Sequence, residues 1–349
     1  MSCEFWVLSM LRADLHVHSW HSNVNGDLPL LKSRDCYSSP REVYRQARAR
    51  GMDVVTITDH DSIDGCLELL ADRPDARDII IGEEISCWVP DTDLQVHLGA
   101  YGMTEAIHRS VQPLRDNVFD VAAHLRASGV FFALNHLLHF YKQQVPLEVY
   151  LRLLTEVPAL EVRNGTMLAA HNAFVEWICE KGDCPLFRRR QVSKTRVVPF
   201  FAAVAGSDAH TLRRVGTTWT EAPGQTADEF LANVAAGCGR PGGAHGTALT
   251  IAGDAYGVIC RYCKSLVGFG PNDHTSFERA LYLATAVASI PFQWLPLAIA
   301  LRRKRSEARH VRRCARQLRQ WFEDANAQPR ATIVRQTPGA MLADEEIMG

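Results

Sequence analysis

Between about residue 40 and residue 240 the chain alternates strand-like and helix-like segments, which restricts it to a parallel α/β sheet, open or closed into a barrel. Ser39-Pro40-Arg41-Glu42 reads as a helix start, with Ser39 as N-cap, Pro40 at the first helical position and Glu42 completing a capping box. Gly51 is placed to end that helix, and the β-branched run from Asp53 to Thr58 suits a buried strand. The cycle repeats with helices at 62–71, 111–128, 146–157 and 167–181. Strands are predicted at 79–85, 95–101, 130–135, 158–163 and 200–206. In such folds catalytic groups gather at the C-terminal ends of the strands.

The ionisable residues follow that rule. His16 and His18 alternate along an extended segment, so both imidazoles share one face. Asp59 and His60 come directly after the 53–58 strand, and Glu83 and Glu84 end Ile-Ile-Ile-Gly. His97 lies within Gln-Val-His-Leu-Gly. Asn135 and His136 follow Phe-Phe-Ala-Leu, and Asp208 and His210 close Ala-Val-Ala-Gly-Ser-Asp-Ala-His. A lone histidine at a strand end is usually structural, but successive strands delivering such groups to one end imply heavy uncompensated burial, which metal coordination relieves. A mixed nitrogen and oxygen donor set suits Zn, Mn or Fe, and this many ligands implies two or three ions.

Bulk properties constrain the alternatives. Thirty-eight Lys and Arg balance 39 Asp and Glu, so nothing draws the whole chain to nucleic acid or an acidic membrane, and any basic site must be local. The ten cysteines lack the spacing of a disulfide framework and read as reduced thiols, and the lone Cys260-x-x-Cys263 pair has no second pair to complete a zinc site. The first residues lack a basic region and a long apolar run, so they are expected to form a first strand and the protein to be cytoplasmic.

His16-Val17-His18, Thr58-Asp59-His60, Gly82-Glu83-Glu84-Ile85-Ser86, Asn135-His136 and Gly206-Ser207-Asp208-Ala209-His210 together resemble the ordered motifs of the PHP (polymerase and histidinol phosphatase) domain family. The resemblance covers roughly residues 12–240. It implies an α/β fold, a distorted seven-stranded (β/α) barrel, with His16, His18 and Asp208 on a first metal. Glu84 would bridge to a second metal held by His97 and His136, while His60 and His210 hold a third. Glu83 is read as a neighbour of the site. The loop after His18 offers Asn23 or Asn25 where the family supplies a stronger third-metal ligand, with His21 or Asp27 as substitutes. Asp14, Asp59 and Asp61 fit the role of accepting the second N–H of ligating histidines. His139 is a further candidate for the pocket, while His124, His171, His245, His274 and His310 are read as ordinary.

The function implied is hydrolysis of a small phosphomonoester, a nucleotide or sugar phosphate, by a metal-bridging hydroxide. Glu84, Asp208 and His210 would be catalytic, and Arg163 would be the cation for the phosphate, ahead of Arg213, Arg214, Lys32 and Arg34. The competing readings are a phosphodiesterase or nuclease, which the balanced charge does not favour, and a binding or regulatory module without activity. The expected organisation is a barrel over 1–245, a helical extension over 246–330 and a disordered tail over 331–349. Within the extension Ala280 to Leu301 carries no charge and runs into Arg302-Arg303-Lys304-Arg305, so membrane contact through 280–305 is a candidate feature.

Overall fold

The strands are β1 (Met10–Asp14), β2 (Val54–Ile57), β3 (Ile79–Trp88), β4 (Gln95–Tyr101), β5 (Phe131–Leu134), β6 (Ala159–Asn164), β7 (Arg190–Ser193), β8 (Arg196–Val198), β9 (Ala202–Gly206), β10 (Thr218–Pro223) and β11 (Arg240–Gly243). In the computed structural model, which describes residues 9–22, 33–139, 146–180, 190–193, 196–198, 201–272 and 274–327, nine of them form one sheet. Its order is β11-β10-β1-β2-β3-β4-β5-β6-β9, and β7 pairs with β8 alone. The sheet nearly closes: beyond β9 the Asp208 N–H donates to the His16 carbonyl at 2.7 Å, and Val17 bridges Ala209 in parallel. The result is a barrel-like α/β fold.

Two expectations change. The described sheet has nine strands where the resemblance implied seven, with β10 and β11 added antiparallel beside β1. Nor is it wholly parallel, because β4 runs antiparallel to both β3 and β5. The six-residue connection Val89–Leu94, closed by the Val89 N–H to Leu94 carbonyl bond at 2.8 Å, makes a hairpin. A parallel partner needs a crossover of a dozen residues or more.

The helices cover the sheet's outer face: α1 (Pro40–Ala49), α2 (Asp64–Asp72), α3 (Glu105–Val111), α4 (Val118–Ala127), α5 (Leu147–Glu156), α6 (Ala169–Glu180) and α7 (Ala227–Asn233). Ser39 and Glu42 form the predicted capping box of α1. The single helix expected over 111–128 is two helices, because Pro113 sits in a tight turn and Asn117 starts α4 afresh by accepting from the Phe119 N–H. Gly206 permits the closure of the barrel, since an added Cβ there meets the backbone N and Cβ of His16. With no Cβ, the end of β9 lies flat against the segment that carries the first two histidines.

The C-terminal residues form α8 (Ala248–Leu266), α9 (Ser276–Ala288) and α10 (Leu295–Ala327). Val311, Cys314, Leu318 and Phe322 of α10 belong to the same core cluster as β3 to β6, so the end of this helix is welded to the barrel by apolar burial. The uncharged stretch 280–301 breaks at a tight turn, Ile290–Phe292. Among the described residues no single helix is long and apolar enough to cross a membrane; α9 and the helix after it pass that test only as a pair bent by 54°. Residues 331–349 lie outside the described residues.

Candidate metal centre

Glu84 lies at the middle of the strand exits, buried with 1% of its side chain exposed, and five imidazoles surround it. Its Oε2 faces His16 Nε2 at 3.0 Å, His18 Nε2 at 3.4 Å and His60 Nδ1 at 3.4 Å. Its Oε1 faces His136 Nε2 at 3.1 Å and His97 Nδ1 at 3.2 Å. Asp208 supplies a second carboxylate, with Oδ1 3.4 Å from His18 Nε2, 3.6 Å from His16 Nε2 and 3.7 Å from His210 Nδ1. Strand alternation explains why Glu84 and not Glu83 faces inward: Glu83 points the other way, to His108 at 3.0 Å and Gln112 at 2.9 Å.

The atoms group as ligand sets: His16 with His18 and Glu84, His16 with His136 and Asp208, His60 with Glu84 and His97, and His18 with His60 and His210. His136 thus approaches Asp208 as well as its expected partner His97, and His60 is shared between two sets. His136 and Asp208 both hold positive φ, 28° and 53°, a conformation that costs a non-glycine residue energy and is retained where surrounding contacts impose it. Asn23, Asn25 and Asp27 lie outside the described residues. His21 turns away to Glu68 at 2.6 Å, whereas Asp35 brings a carboxylate within 3.9 Å of His210 Nε2.

The groups that orient the ligands differ from those expected. Asp14 accepts from the backbone N–H groups of Ser207 and Gly216, each at 2.7 Å, and Asp59 from the Ser19 N–H and hydroxyl at 2.5 and 2.6 Å. Asp61 holds the Ser86 N–H and Arg115. These aspartates fix the strand-exit backbone and touch no ligating imidazole. The orienting carboxylate is Glu161 in β6, 2.8 Å from His16 Nδ1, whose other oxygen takes the His136 N–H at 2.9 Å. That contact keeps the proton on Nδ1 and leaves Nε2 directed at Glu84 and Asp208. Asn164 donates to Glu161 at 2.9 Å and to Asp208 at 3.2 Å, and the Thr166 hydroxyl donates to Asp208 at 2.9 Å. The signal for Glu161 was a single acid inside the apolar β6 run.

Electrostatics set this cluster apart from an ordinary core. Burial would raise the Glu84 and Asp208 carboxyls, but the surrounding histidines hold both well below the usual carboxylate range. For His16 burial is outweighed by Glu84, Asp208 and Glu161, which raise its pKa well above that of free histidine. Burial and His210 pull His18 down to about 4, and burial also takes His60 well below its ordinary value. Nearby carboxylates likewise raise His136 and His210 against burial, so burial and charge pull the histidines of the cluster in opposite directions. His16 Nε2, His18 Nε2 and His60 Nδ1 are buried without hydrogen-bond partners, an arrangement costly in a dry core and suited to lone pairs aimed at divalent ions. The donor set fits the metals that the sequence implied.

The cluster floors a cleft of about 510 Å³ whose roof is the C-terminal extension. Its lining includes His139, Asp35 and Met167 of the barrel, Ile251 and Val258 of α8, and Arg303 and Lys304 of α10. Lys304 Nζ donates to the Thr166 carbonyl and to Glu307, each at 2.5 Å, and Glu307 accepts the Leu168 N–H at 2.8 Å, so α10 is pinned over the β6 exit. Asp254 fixes α8 through the Thr211 hydroxyl at 2.8 Å. Arg163 does not reach the cleft. A bulge between Glu161 and Arg163 breaks the alternation, so Asn164 takes the inward place and Arg163 pairs outward with Glu176 at 2.6 Å. Arg214 is likewise engaged, with the Gly165 carbonyl. Arg303 lines the cleft and pairs with no described residue. His171 and His310 are buried structural histidines, as read from the sequence: one accepts the Leu138 N–H at 3.2 Å and the other contacts Tyr150.

A family model described as PHP-associated matches residues 200–238, the segment that carries Asp208 and His210. An uncharacterized protein of Methanocaldococcus jannaschii is 36% identical over 76 residues, which span 22% of this chain and 44% of that relative. Among solved structures, PsfC from Pseudomonas syringae covers 74% of this chain and 99% of its own at 17% identity and a TM-score of 0.47. A two-domain protein of Bacteroides vulgatus, containing a predicted PHP-like metal-dependent phosphoesterase, covers 73% and 70% at 15% identity and 0.45. A lesion-specific endonuclease of Pyrococcus furiosus covers 76% and 73% at 13% identity and 0.42.

The role of Glu161 is open to a direct test. Glu161→Gln keeps the shape but weakens the hold on the His16 proton, and metal affinity measured by chelator competition should fall about 10- to 100-fold with the fold intact by circular dichroism. Unchanged affinity would contradict the orienting role.

Proposed function

We propose that this chain, a member of the PHP family, is a metal-dependent phosphoesterase that hydrolyses a small phosphomonoester in the cleft between barrel and C-terminal helices. The observation that carries the reading is the division of Glu84: one oxygen serves His16, His18 and His60, the other His97 and His136. A carboxylate with each oxygen assigned to a different set of imidazoles is what a bridge between two ions requires.

In this reading His16, His18 and Asp208 would hold one ion, His97 and His136 a second, and His60 and His210 a third, with Mn, Zn or Fe as the metals. Bound there, such ions would neutralise charge on the phosphoryl oxygens and bring the pKa of water to about 7. The protein's own part is to hold Glu84 and Asp208 ionised, keep the His16 proton on Nδ1 through Glu161, and fix the ligands through Asn164 and Thr166. Apolar side chains of α8, Ile251 and Val258 among them, keep water from one wall of the cleft and leave room for a non-polar part of the alcohol being released. Arg303, from outside the family match, takes the role of phosphate cation that Arg163 cannot fill.

Two substitutions test the assignment with p-nitrophenyl phosphate as substrate. Glu84→Gln should lower kcat/KM by at least about a hundredfold, more than removal of an outer partner does; near-normal turnover by the folded variant would refute the bridge. Arg303→Ala should raise KM and the inhibition constant for inorganic phosphate about tenfold, with kcat changed little. If both constants stay put, the phosphate is held elsewhere.

A further inference from the structure

The connection between α9 and α10 has the composition of a core and the exposure of a surface. Every residue from Val287 to Leu295 is exposed. Val287, Ile290, Phe292 and Trp294 keep 66%, 60%, 59% and 61% of their surface in solvent. No charge occurs from Ala280 to Leu301, and α10 then presents Arg302, Arg303 and Arg305 to solvent while Lys304 turns into the fold. An apolar patch of this kind marks a binding surface.

The order of features along α10 identifies the occupant. The uncharged stretch runs directly into Arg302, Arg303 and Arg305, and an apolar surface flanked by cations is what an interfacial segment presents to anionic headgroups. With the exposed apolar side chains at the acyl boundary, the flanking arginines stand at phosphate level. Trp294 and Phe292 at the kink are side chains suited to the boundary between headgroup and hydrocarbon. α9 alone is too short to cross, about 20 Å against a hydrocarbon core of about 30 Å, and it meets α10 at a kink of 54°. Tyr256 of α8 donates to the Gln293 carbonyl at 2.5 Å, tying the kink to the cap.

We propose that the kinked α9–α10 segment is a monotopic anchor that seats the protein on one leaflet of an anionic bilayer, its exposed apolar side chains inserted and Arg302 and Arg305 at the headgroup phosphates. Because the next residue, Arg303, lines the cleft, this seating brings the mouth of the metal centre to the lipid surface.

The test uses the full chain and vesicles of phosphatidylcholine alone or mixed with phosphatidylglycerol. In sedimentation the protein should pellet with the mixed vesicles at low salt and much less with phosphatidylcholine alone. The double variant Phe292→Ser, Trp294→Ser should lose at least about tenfold in affinity while keeping its metal content and its turnover of a soluble ester. Arg302→Gln with Arg305→Gln should lose a similar factor and, with it, most of the preference for phosphatidylglycerol. No vesicle binding, or equal binding by the serine variant, overturns the proposal. A wild-type dimer that the serine variant abolishes, without vesicle binding, overturns it in favour of a second copy as the occupant.

Discussion

Glu84 is the residue on which the rest of the architecture depends. A carboxylate 1% exposed and ringed by His16, His18, His60, His97 and His136 is tolerable only with balancing charge close by. The barrel arranges that balance by ending its strands at a common level. β1 leads to His16 and His18, β2 to His60, β5 to His136 and β9 to Asp208, while β3 and β4 place Glu84 and His97 within the strands. Gly206 lets β9 lie against the His16 segment and so completes the ring. The surrounding polar groups, Asp14, Asp59, Asn164 and Thr166, spend their hydrogen bonds on backbone and carboxylates. Burial pushes Asp14 up to about 6 and Asp59 up to about 7, against the hydrogen bonds that favour their ionised forms.

Much of this was legible before any coordinates. The resemblance to the PHP motifs pointed to Glu84 rather than Glu83, and the spacing of His16 and His18 put both on one face. The Ser39–Glu42 box fixed the start of α1 because capping is local chemistry. What escaped was whatever depends on an irregularity. A bulge in β6 sent Arg163 outward and Asn164 inward, and no period-two pattern foresees a bulge. Glu161 was passed over because one acid in an apolar strand looks like an exposed position until the sheet curls around it. The antiparallel β4 was implicit in the short 89–94 connection, whose length excludes a crossover.

The extension beyond the barrel gives the cleft its character. α10 is fixed at one end by apolar packing of Val311, Leu318 and Phe322, and near its middle by Lys304 and Glu307 on the β6 exit. Between those anchors and the exposed kink lies Arg303, so a single helix joins the barrel core, the cleft and the exposed apolar stretch. In the proposed reading the ions would supply general chemistry for phosphate esters, and selection among esters would fall to α8 and α10, which line the cleft.

The central claim is that the buried cluster is a metal centre that hydrolyses phosphate esters, and the most direct measurement is elemental mass spectrometry of the purified protein, paired with phosphate release before and after chelation. The account predicts two or three ions of Mn, Zn or Fe per chain, lost to chelator together with activity and restored with it. Less than one ion per chain, and no hydrolysis after reconstitution with each metal, would contradict it.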